Sequence, residues 1–144
     1  MSRSSARFFL DTNIFAYTFD DSVPVVRAKA IELVETALTT GLGMISYQVI
    51  QEFLNVAGTK FASPLTVEDR RAYLEEVLMP LCQVWPGRDL YLRALDIQST
   101  SGYGLYDSLI VAAALTGGCR TLYTQDLQHG RRFDVLKVVD PFAV

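Results

Sequence analysis

One stretch near the start of the chain decides the fold class: Arg7-Phe8-Phe9-Leu10-Asp11-Thr12-Asn13. Its apolar part predicts a short buried strand that ends at a carboxylate. Similar short apolar segments predict strands at residues 43–45, 82–84 and 121–123, with a possible fifth at 136–139. Short apolar strands separated by helices are typical of a parallel sheet covered on both faces. The sequence therefore predicts an α/β fold, a three-layer α/β/α sandwich with a mostly parallel sheet of four or five strands.

Helical periodicity fills the segments between these strands. We predict helices over residues 24–41, 46–58, 66–79, 88–98 and 105–115. Ser46 is a potential N-cap of the second helix, and Thr66 with Asp69 resembles a capping box at the start of the third. The 144 residues contain no repeat, low-complexity segment or linker. We therefore expect a single domain spanning residues 1–144.

Acidic residues lie at the ends of apolar stretches at four places: Asp11, Glu52, Asp107 and Asp126. Charged side chains are rare in such surroundings unless they are paired or bind a metal. Asp11 and Asp126 follow strands, and ligands of parallel sheets bind beyond the carboxyl ends of the strands. Glu52 and Asp107 share helical faces with apolar residues, which predicts core-facing stripes that carry both carboxylates to the edge of the sheet. We expect all four to converge.

A cluster of four carboxylates indicates a divalent-cation site. Mg²⁺ and Mn²⁺ prefer oxygen ligands, and a metal-activated water can hydrolyse a phosphodiester bond. Whether such a site holds one ion or two is left open. Without metal, mutual repulsion should raise the pKa of some of these carboxyl groups. The chain has no Cys/His set for zinc and no plausible Ser-His-Asp arrangement around its sole histidine, His129.

The net charge of −3 argues only weakly against a nucleic-acid partner. Four of the 16 acidic residues belong to the candidate site, and the remaining 12 are outnumbered by 13 basic residues. No apolar run reaches the roughly 18 residues that span a bilayer. The first residues lead into an apolar run without a cleavage-site pattern, so we predict a cytoplasmic protein. Cys82 and Cys119 are expected to be reduced and buried.

In order along the chain, these residues resemble the motifs of PIN domains, particularly the toxin ribonucleases of VapBC-type toxin–antitoxin pairs. Phe9-Leu10-Asp11-Thr12-Asn13 is similar to the first motif, Ser46 with Glu52 to the second, Tyr106-Asp107 to the third, and residues 124–130 to the fourth. Pro141-Phe142 resembles the usual ending. Asp140 departs from the pattern, since relatives often have Asn there; we expect it to be an exposed strand-end residue outside the site.

The resemblance implies a Mg²⁺- or Mn²⁺-dependent endoribonuclease that acts on RNA. Its acidic quartet would be Asp11, Glu52, Asp107 and Asp126. Asn13 and Thr124 match positions where the family places polar support for the metal-bound water or the carboxylates. The resemblance also implies a cognate antitoxin protein and a homodimer.

Several residues near the motifs allow two interpretations. Arg131 and Arg132 could contact phosphates, and a solvated basic pair is equally compatible with their positions. Tyr103 and Tyr106 could stack on unpaired bases, but packing is favoured. The aromatic residues that alternate after Asn13 are expected in the core or in a subunit interface: Phe15, Tyr17 and Phe19.

Two other functions compete with the ribonuclease. An aspartate-nucleophile phosphotransferase also begins with Asp after a strand, but it requires a second acid and a positioned Lys, and Asn13 occupies the second position after Asp11. A domain that binds RNA or a protein without cleaving is the alternative from another class. Loss of one acid would favour it, and all four are present.

Overall fold

A six-stranded sheet forms the centre of the structure, a computed structural model that describes residues 6–143. The strands are β1 (Phe8–Leu10), β2 (Gly43–Ser46), β3 (Cys82–Val84), β4 (Thr121–Tyr123), β5 (Arg132–Phe133) and β6 (Leu136–Val139). Their spatial order is β3-β2-β1-β4-β6-β5. Every neighbouring pair is parallel except β5 with β6. The predicted α/β fold with a mostly parallel sheet is therefore confirmed, but the sheet has six strands instead of the predicted four or five.

Helices fill the connections between the parallel strands. They are α1 (Thr12–Tyr17), α2 (Pro24–Thr40), α3 (Tyr47–Thr59), α4 (Val67–Tyr73), α5 (Met79–Leu81), α6 (Arg88–Ser101) and α7 (Leu105–Thr116). A π-helical turn, Leu74–Leu78, joins α4 to α5. Within residues 6–143, none of these helices is long and apolar enough to cross a membrane.

The direction of the crossovers explains the layers. The connections from β1 to β2 and from β2 to β3 run one way along the sheet, and the connection from β3 to β4 runs back. Parallel crossovers are right-handed in nearly all proteins, so helices α1 to α5 cover one face and α6 and α7 cover the other. In agreement, α6 packs on α7, and α1 packs on α2 and α3.

The core lies on both faces of the central strands. Phe9, Leu10 and Leu122 are fully buried because β1 and β4 have neighbouring strands on each side and helices above and below. Such strands read as continuous apolar runs rather than as an alternating pattern. Helix α7 is buried from Ser108 to Ala114, which matches its apolar sequence on all sides. The carboxyl edge of the sheet therefore has a rigid support.

The strand order reverses between β1 and β4. The chain leaves β1 toward β2 and leaves β4 toward β6 on the opposite side. The backbone N–H of Asp11, directly after β1, donates to the carbonyl of Tyr123, the last residue of β4, at 3.0 Å. In open α/β sheets such a switch point is where ligands bind.

Three local features differ from the sequence prediction. Helix α1 and strand β5 were not predicted, because six and two residues are too short to show a period. The helix predicted over 66–79 contains the π-helical turn, in which the N–H of Met79 donates to the carbonyl of Leu74. Pro80 lacks an N–H and its ring would collide with the carbonyl four residues earlier, so a widened turn before it is reasonable.

Two predictions about the whole chain have different outcomes. Cys82 and Cys119 are free and buried, as expected. The prediction of a single domain over residues 1–144 stays a prediction. The first five residues, on which the interpretation of the N-terminus partly depended, lie outside the described residues.

Candidate active site

Asp11 is the buried centre of the candidate site, with only 5% of its surface exposed. It is the N-cap of α1, where its Oδ1 accepts a hydrogen bond from the N–H of Thr12 at 2.7 Å. Its Oδ2 accepts from the hydroxyl of Thr124 at 2.8 Å. Burial raises the pKa of Asp11 to about 6 against the lowering effect of these two bonds, and the carboxylates of Asp126 and Glu52 raise it further.

Two threonines extend this centre in opposite directions. The hydroxyl of Thr12 donates to Oε1 of Glu52 at 2.8 Å, which links α1 to α3. On the other side, the hydroxyl of Thr124 accepts from the N–H of Asp126 at 3.1 Å. A continuous hydrogen-bonded line, Glu52–Thr12–Asp11–Thr124–Asp126, therefore runs across the switch point of the sheet. We call it the acid line.

Asp107 approaches the acid line from the opposite layer. It lies in the first turn of α7, where the helix dipole favours a carboxylate. Partial burial raises the pKa of Asp107, and the nearby carboxylate of Asp126 raises it further. The side-chain amide of Gln48, a buried residue of α3, donates to the carbonyl of Tyr106 at 3.1 Å. The helix that carries Glu52 is thereby tied to the turn that carries Asp107.

The structure brings the four acids to one region but not onto core-facing stripes. Glu52 and Asp107 are exposed, whereas the sequence predicted core-facing positions. Each lies at the boundary of its helical face, directly before a fully buried residue, Phe53 and Ser108 respectively. Asp126 is also exposed. The site is thus a buried carboxylate with three others around its rim.

Several buried polar groups near Asp11 have no hydrogen-bond partner among residues 6–143. Both polar atoms of the Asn13 carboxamide are buried and unpartnered, as is the hydroxyl of Ser46. Ser46 occupies the N-cap position of α3 without the predicted capping bond. Phe9 pairs with Met44, so Ser46 at the end of β2 lies level with Asp11. Buried polar groups usually bind a partner, which makes these groups candidates for contact with a ligand or water.

The donor set suits a divalent cation. Every group of the acid line offers oxygen, the ligand that Mg²⁺ and Mn²⁺ prefer. Among residues 6–143, the ion pairs that form join other residues, Lys29 with Glu32 and Arg88 with Asp89, so no protein cation neutralises the four acids. No three His, Cys, Asp or Glu side chains in this part of the chain are already in ligating positions. Mg²⁺ takes one or two carboxylates and keeps waters, so this arrangement fits it.

The predicted basic residues have different environments. The guanidinium carbon of Arg131 lies 4.7 Å from the ring centre of Tyr103 and 5.0 Å from that of Phe133. The guanidinium of Arg131 therefore packs on aromatic side chains of this chain, and its predicted contact with phosphate stays a prediction. Arg132 is exposed in β5 and pairs in register with Lys137 of β6. The two arginines, grouped in the sequence prediction, are thus separated by their surroundings.

Two aromatic predictions and one loop prediction also have outcomes. Tyr103 packs as favoured, but Tyr106 is 70% exposed, so packing within this chain was wrong for it. The exposed position predicted for Asp140 was wrong as well. Asp140 is half-buried, its Oδ1 accepts from the N–H of Phe142, and its own N–H donates to Nδ1 of His129. A turn that leads into Pro141 requires these bonds.

The expectation for the aromatic residues after Asn13 is met in part by the core. Phe15 is fully buried, and Tyr17 packs edge-to-face on Phe142 with ring centres 5.0 Å apart. Phe19, although 39% exposed, lies against the rings of Phe53, Phe61 and Tyr73.

Sequence reasoning missed two residues that organise the site. Thr12 was quoted in the first motif without a role, and its position after a helix-capping Asp was the available signal. Gln48 gave no signal that could have been used, because a polar residue in an amphipathic helix is usually solvated.

Comparison with known families assigns the sequence to one family. The sequence profile of the PIN domain family matches residues 8–134. The chain belongs to the PIN domain family. Its acid line occupies the ends of β1 and β4, the start of α1 and Glu52 of α3, where the first, fourth and second PIN-like motifs lie.

Solved structures similar to this PIN domain share its fold over most of the chain. A toxin–antitoxin complex from Klebsiella pneumoniae has a TM-score of 0.69 at 18% identity, covering 96% of this chain and 100% of that chain. The sarcin–ricin loop cleaving toxin VapC20 of Mycobacterium tuberculosis has a TM-score of 0.61 at 20% identity, covering 83% and 89%. The DNA-bound VapBC of Salmonella typhimurium has a TM-score of 0.63 at 20% identity, and the match covers 92% of this chain and 96% of that chain. Among curated proteins, none matches the chain.

Proposed function

We propose that this PIN domain is a metal-dependent endoribonuclease that uses Asp11, Glu52, Asp107 and Asp126. The acid line is the observation that supports this proposal most strongly. It sets a buried carboxylate between two others at the switch point of the sheet, with no protein cation to neutralise them among the described residues. A substrate phosphate and divalent cations are the partners that satisfy such a site.

The residues divide the work of the proposed site. Mg²⁺ or Mn²⁺ would be held by Asp11 with one or two of the rim carboxylates, and when bound it would activate water and stabilise charge on the phosphate. The hydroxyl of Thr12 fixes the orientation of the Glu52 carboxylate, and the hydroxyl of Thr124 fixes that of the Asp11 carboxylate. The unpartnered carboxamide of Asn13 can orient a water molecule.

RNA is the proposed substrate. Arg132 and Lys137 lie opposite each other on β5 and β6, where two like charges repel unless an anion lies between them. Lys137 is level with Thr121, three residues before Thr124, so the pair lies about 10 Å along the strand from the acid line. That position suits a backbone phosphate away from the one that is cleaved. Arg132 is therefore the arginine that we propose as a contact for an RNA phosphate, in place of Arg131.

The proposed biological role is that of a toxin controlled by an antitoxin protein. A toxin–antitoxin complex and a DNA-bound VapBC have the same fold over almost their full chains. The exposed carboxylates at the rim would be covered by a basic segment of such a partner. Two free, buried cysteines suit the reducing cytoplasm in which both partners would act.

A homodimer is also part of the proposal. Large apolar side chains are exposed together on α6 and at the start of α7: Tyr91, Leu92, Leu95, Leu105 and Tyr106. We call this set the apolar face. Exposed apolar patches commonly mark interfaces. A second copy of the chain would cover the apolar face and account for the 70% exposure of Tyr106 in the monomer.

Cleavage of a structured RNA tests the enzymatic proposal. We expect cleavage with Mn²⁺ or Mg²⁺, none with excess EDTA, and recovery when metal is restored. Because the attacking group would be water rather than the neighbouring 2′-hydroxyl, RNA methylated on that hydroxyl should still be cut and no cyclic phosphate should form. RNA binding without cleavage in any metal would instead favour the non-cleaving alternative.

A further inference from the structure

Arg131 connects two segments that each carry one acid of the candidate site. Asp126 lies in the turn between β4 and β5, five residues before Arg131. Asp107 lies in the first turn of α7, shortly after the three-residue connection from α6. The guanidinium of Arg131 spans from the first segment to the second, where it covers the ring of Tyr103.

The backbone of Arg131 is fixed on its own side. Its carbonyl accepts from the N–H of Val138 in β6 at 2.8 Å, and its N–H donates to the carbonyl of Gln128 at 3.2 Å. These bonds close the turn at residues 128–131 and hold it against β6, directly after the bend that contains Asp126. The anchor point of the side chain is therefore part of the rigid core.

The far end of the side chain is held by the connection between α6 and α7. One guanidinium nitrogen reaches the carbonyl of Ser101 at 3.5 Å, and the guanidinium lies over the rings of Tyr103 and Phe133. Those two rings are 5.8 Å apart, and the N–H of Tyr103 also donates to the hydroxyl of Ser101 at 3.1 Å. Arg stacks on aromatic faces and donates in the plane of its fork, which an apolar residue cannot do.

We propose that Arg131 is a positioning residue that clamps the turn carrying Asp126 to the connection leading into Asp107. This inference rests on the proposed function, because it gives the clamp the task of holding two repelling carboxylates within reach of one metal ion. The groups that shift the pKa of Asp107 are its own burial and the Asp126 carboxylate. The contacts of the Arg131 guanidinium are with two rings and a main-chain carbonyl, so it acts through the position of the backbone and not on either carboxylate directly.

Neighbouring residues provide matched controls. Arg131→Met and Arg132→Met each remove one positive charge, but only the first opens the clamp. Tyr103→Leu removes the ring beneath the guanidinium. Tyr103→Phe keeps that ring and removes a buried hydroxyl that has no hydrogen-bond partner within the described part of the chain.

Hydrogen–deuterium exchange of the metal-free protein is the first measurement. We expect faster amide exchange over residues 101–108 in Arg131→Met and Tyr103→Leu, and wild-type exchange in Arg132→Met and Tyr103→Phe. Arg131→Lys keeps a cation over the rings, so its amide exchange should be faster than that of the wild type and slower than that of Arg131→Met. Wild-type exchange in both Arg131→Met and Tyr103→Leu would overturn the clamp. If Arg131→Met does not fold, amide exchange in Arg131→Lys and Tyr103→Leu tests the clamp in its place.

The second measurement is the affinity for Mn²⁺, which is obtained from the electron paramagnetic resonance signal of the free ion. We expect about tenfold weaker binding in Arg131→Met, as for other supports of metal ligands, and unchanged binding in Arg132→Met. Unchanged Mn²⁺ affinity in Arg131→Met, with weaker RNA binding and a salt dependence reduced by about one phosphate contact, would make Arg131 a phosphate ligand and overturn the proposal. If wild-type protein neither binds Mn²⁺ nor cleaves RNA, the proposed function fails, and the exchange measurement alone decides the clamp.

Discussion

The hydroxyl of Thr124 donates to Oδ2 of Asp11 and accepts from the N–H of Asp126, so one threonine joins the buried acid of β1 to the exposed acid after β4. Thr12 links Asp11 to Glu52 in a different way, because its main-chain N–H donates to Asp11 and its hydroxyl donates to Glu52. The carboxylates of Asp11 and Glu52 and the main chain of Asp126 are therefore held by uncharged groups before any metal binds.

Thr124→Val keeps the size of the side chain but removes the hydroxyl that holds Asp11 and Asp126. The substitution removes a hydrogen bond that lowers the pKa of Asp11, so that pKa should rise above about 6. The acidic limb of the cleavage pH profile should move to higher pH, and stability should fall by about 1–3 kcal/mol because a buried acceptor loses its donor. Thr121→Val on the same strand is the control. An unshifted pH profile in Thr124→Val would contradict the role given to this hydroxyl.

Asp11→Asn should stabilise the metal-free protein at neutral pH. The folded pKa of Asp11 lies above its ordinary value of 3.8, so the folded state binds the proton more tightly than the unfolded state. Wild-type stability should therefore fall as pH rises from about 4 to about 6 and then level off, with a total loss of at most about 3 kcal/mol from this group. Urea unfolding in EDTA should show the variant more stable at pH 8, with the difference vanishing below pH 4. Equal stability of the wild type and Asp11→Asn at pH 8 would show that burying the charged Asp11 carboxylate does not destabilise the protein.

Gln48→Leu should loosen the turn that carries Asp107. The variant removes the donor to the carbonyl of Tyr106, which costs about 1–3 kcal/mol if that carbonyl stays buried. We expect lower stability in urea and weaker Mn²⁺ binding. Gln51→Leu, at an exposed position of the same helix, is the control. Equal losses in the two variants would show that the tether to Tyr106 has no specific role.

Leu95→Glu should dissociate the proposed homodimer. Leu95 is 51% exposed in the apolar face, and a charge buried without a partner would oppose association. Sedimentation should give a dimer for the wild-type chain and a monomer for the variant. Val25→Glu, at an 80% exposed position of α2, should remain a dimer. A wild-type monomer at high concentration would overturn this part of the account.

Much of the fold could be predicted because its signals are local. Apolar runs at β1 and β4 and the apolar sequence of α7 show a sheet buried on both faces. Helix α1 could not be predicted in this way. It begins directly after a strand and depends on the carboxylate of Asp11 accepting from Thr12, a contact that also belongs to the site.

The site was less accessible to sequence reasoning because its contacts join distant parts of the chain. Asp11 and Thr124 are 113 residues apart, and Gln48 contacts a carbonyl 58 residues away. Arg131 and Arg132 look equivalent as a basic pair. Only the positions of Tyr103 and Phe133 show that one guanidinium is committed to aromatic rings.

Loss of a single rim carboxylate tests the central claim most directly. We would compare Mn²⁺-dependent cleavage of one structured RNA by wild-type protein, Asp107→Asn and Asp96→Asn, an exposed acid of the adjacent helix α6, at matched thermal stability. The account predicts that Asp107→Asn loses at least about a hundredfold in rate, as expected when a group that holds or orients a catalytic metal is removed, while Asp96→Asn cleaves like the wild type. Undiminished cleavage by Asp107→Asn would contradict the account.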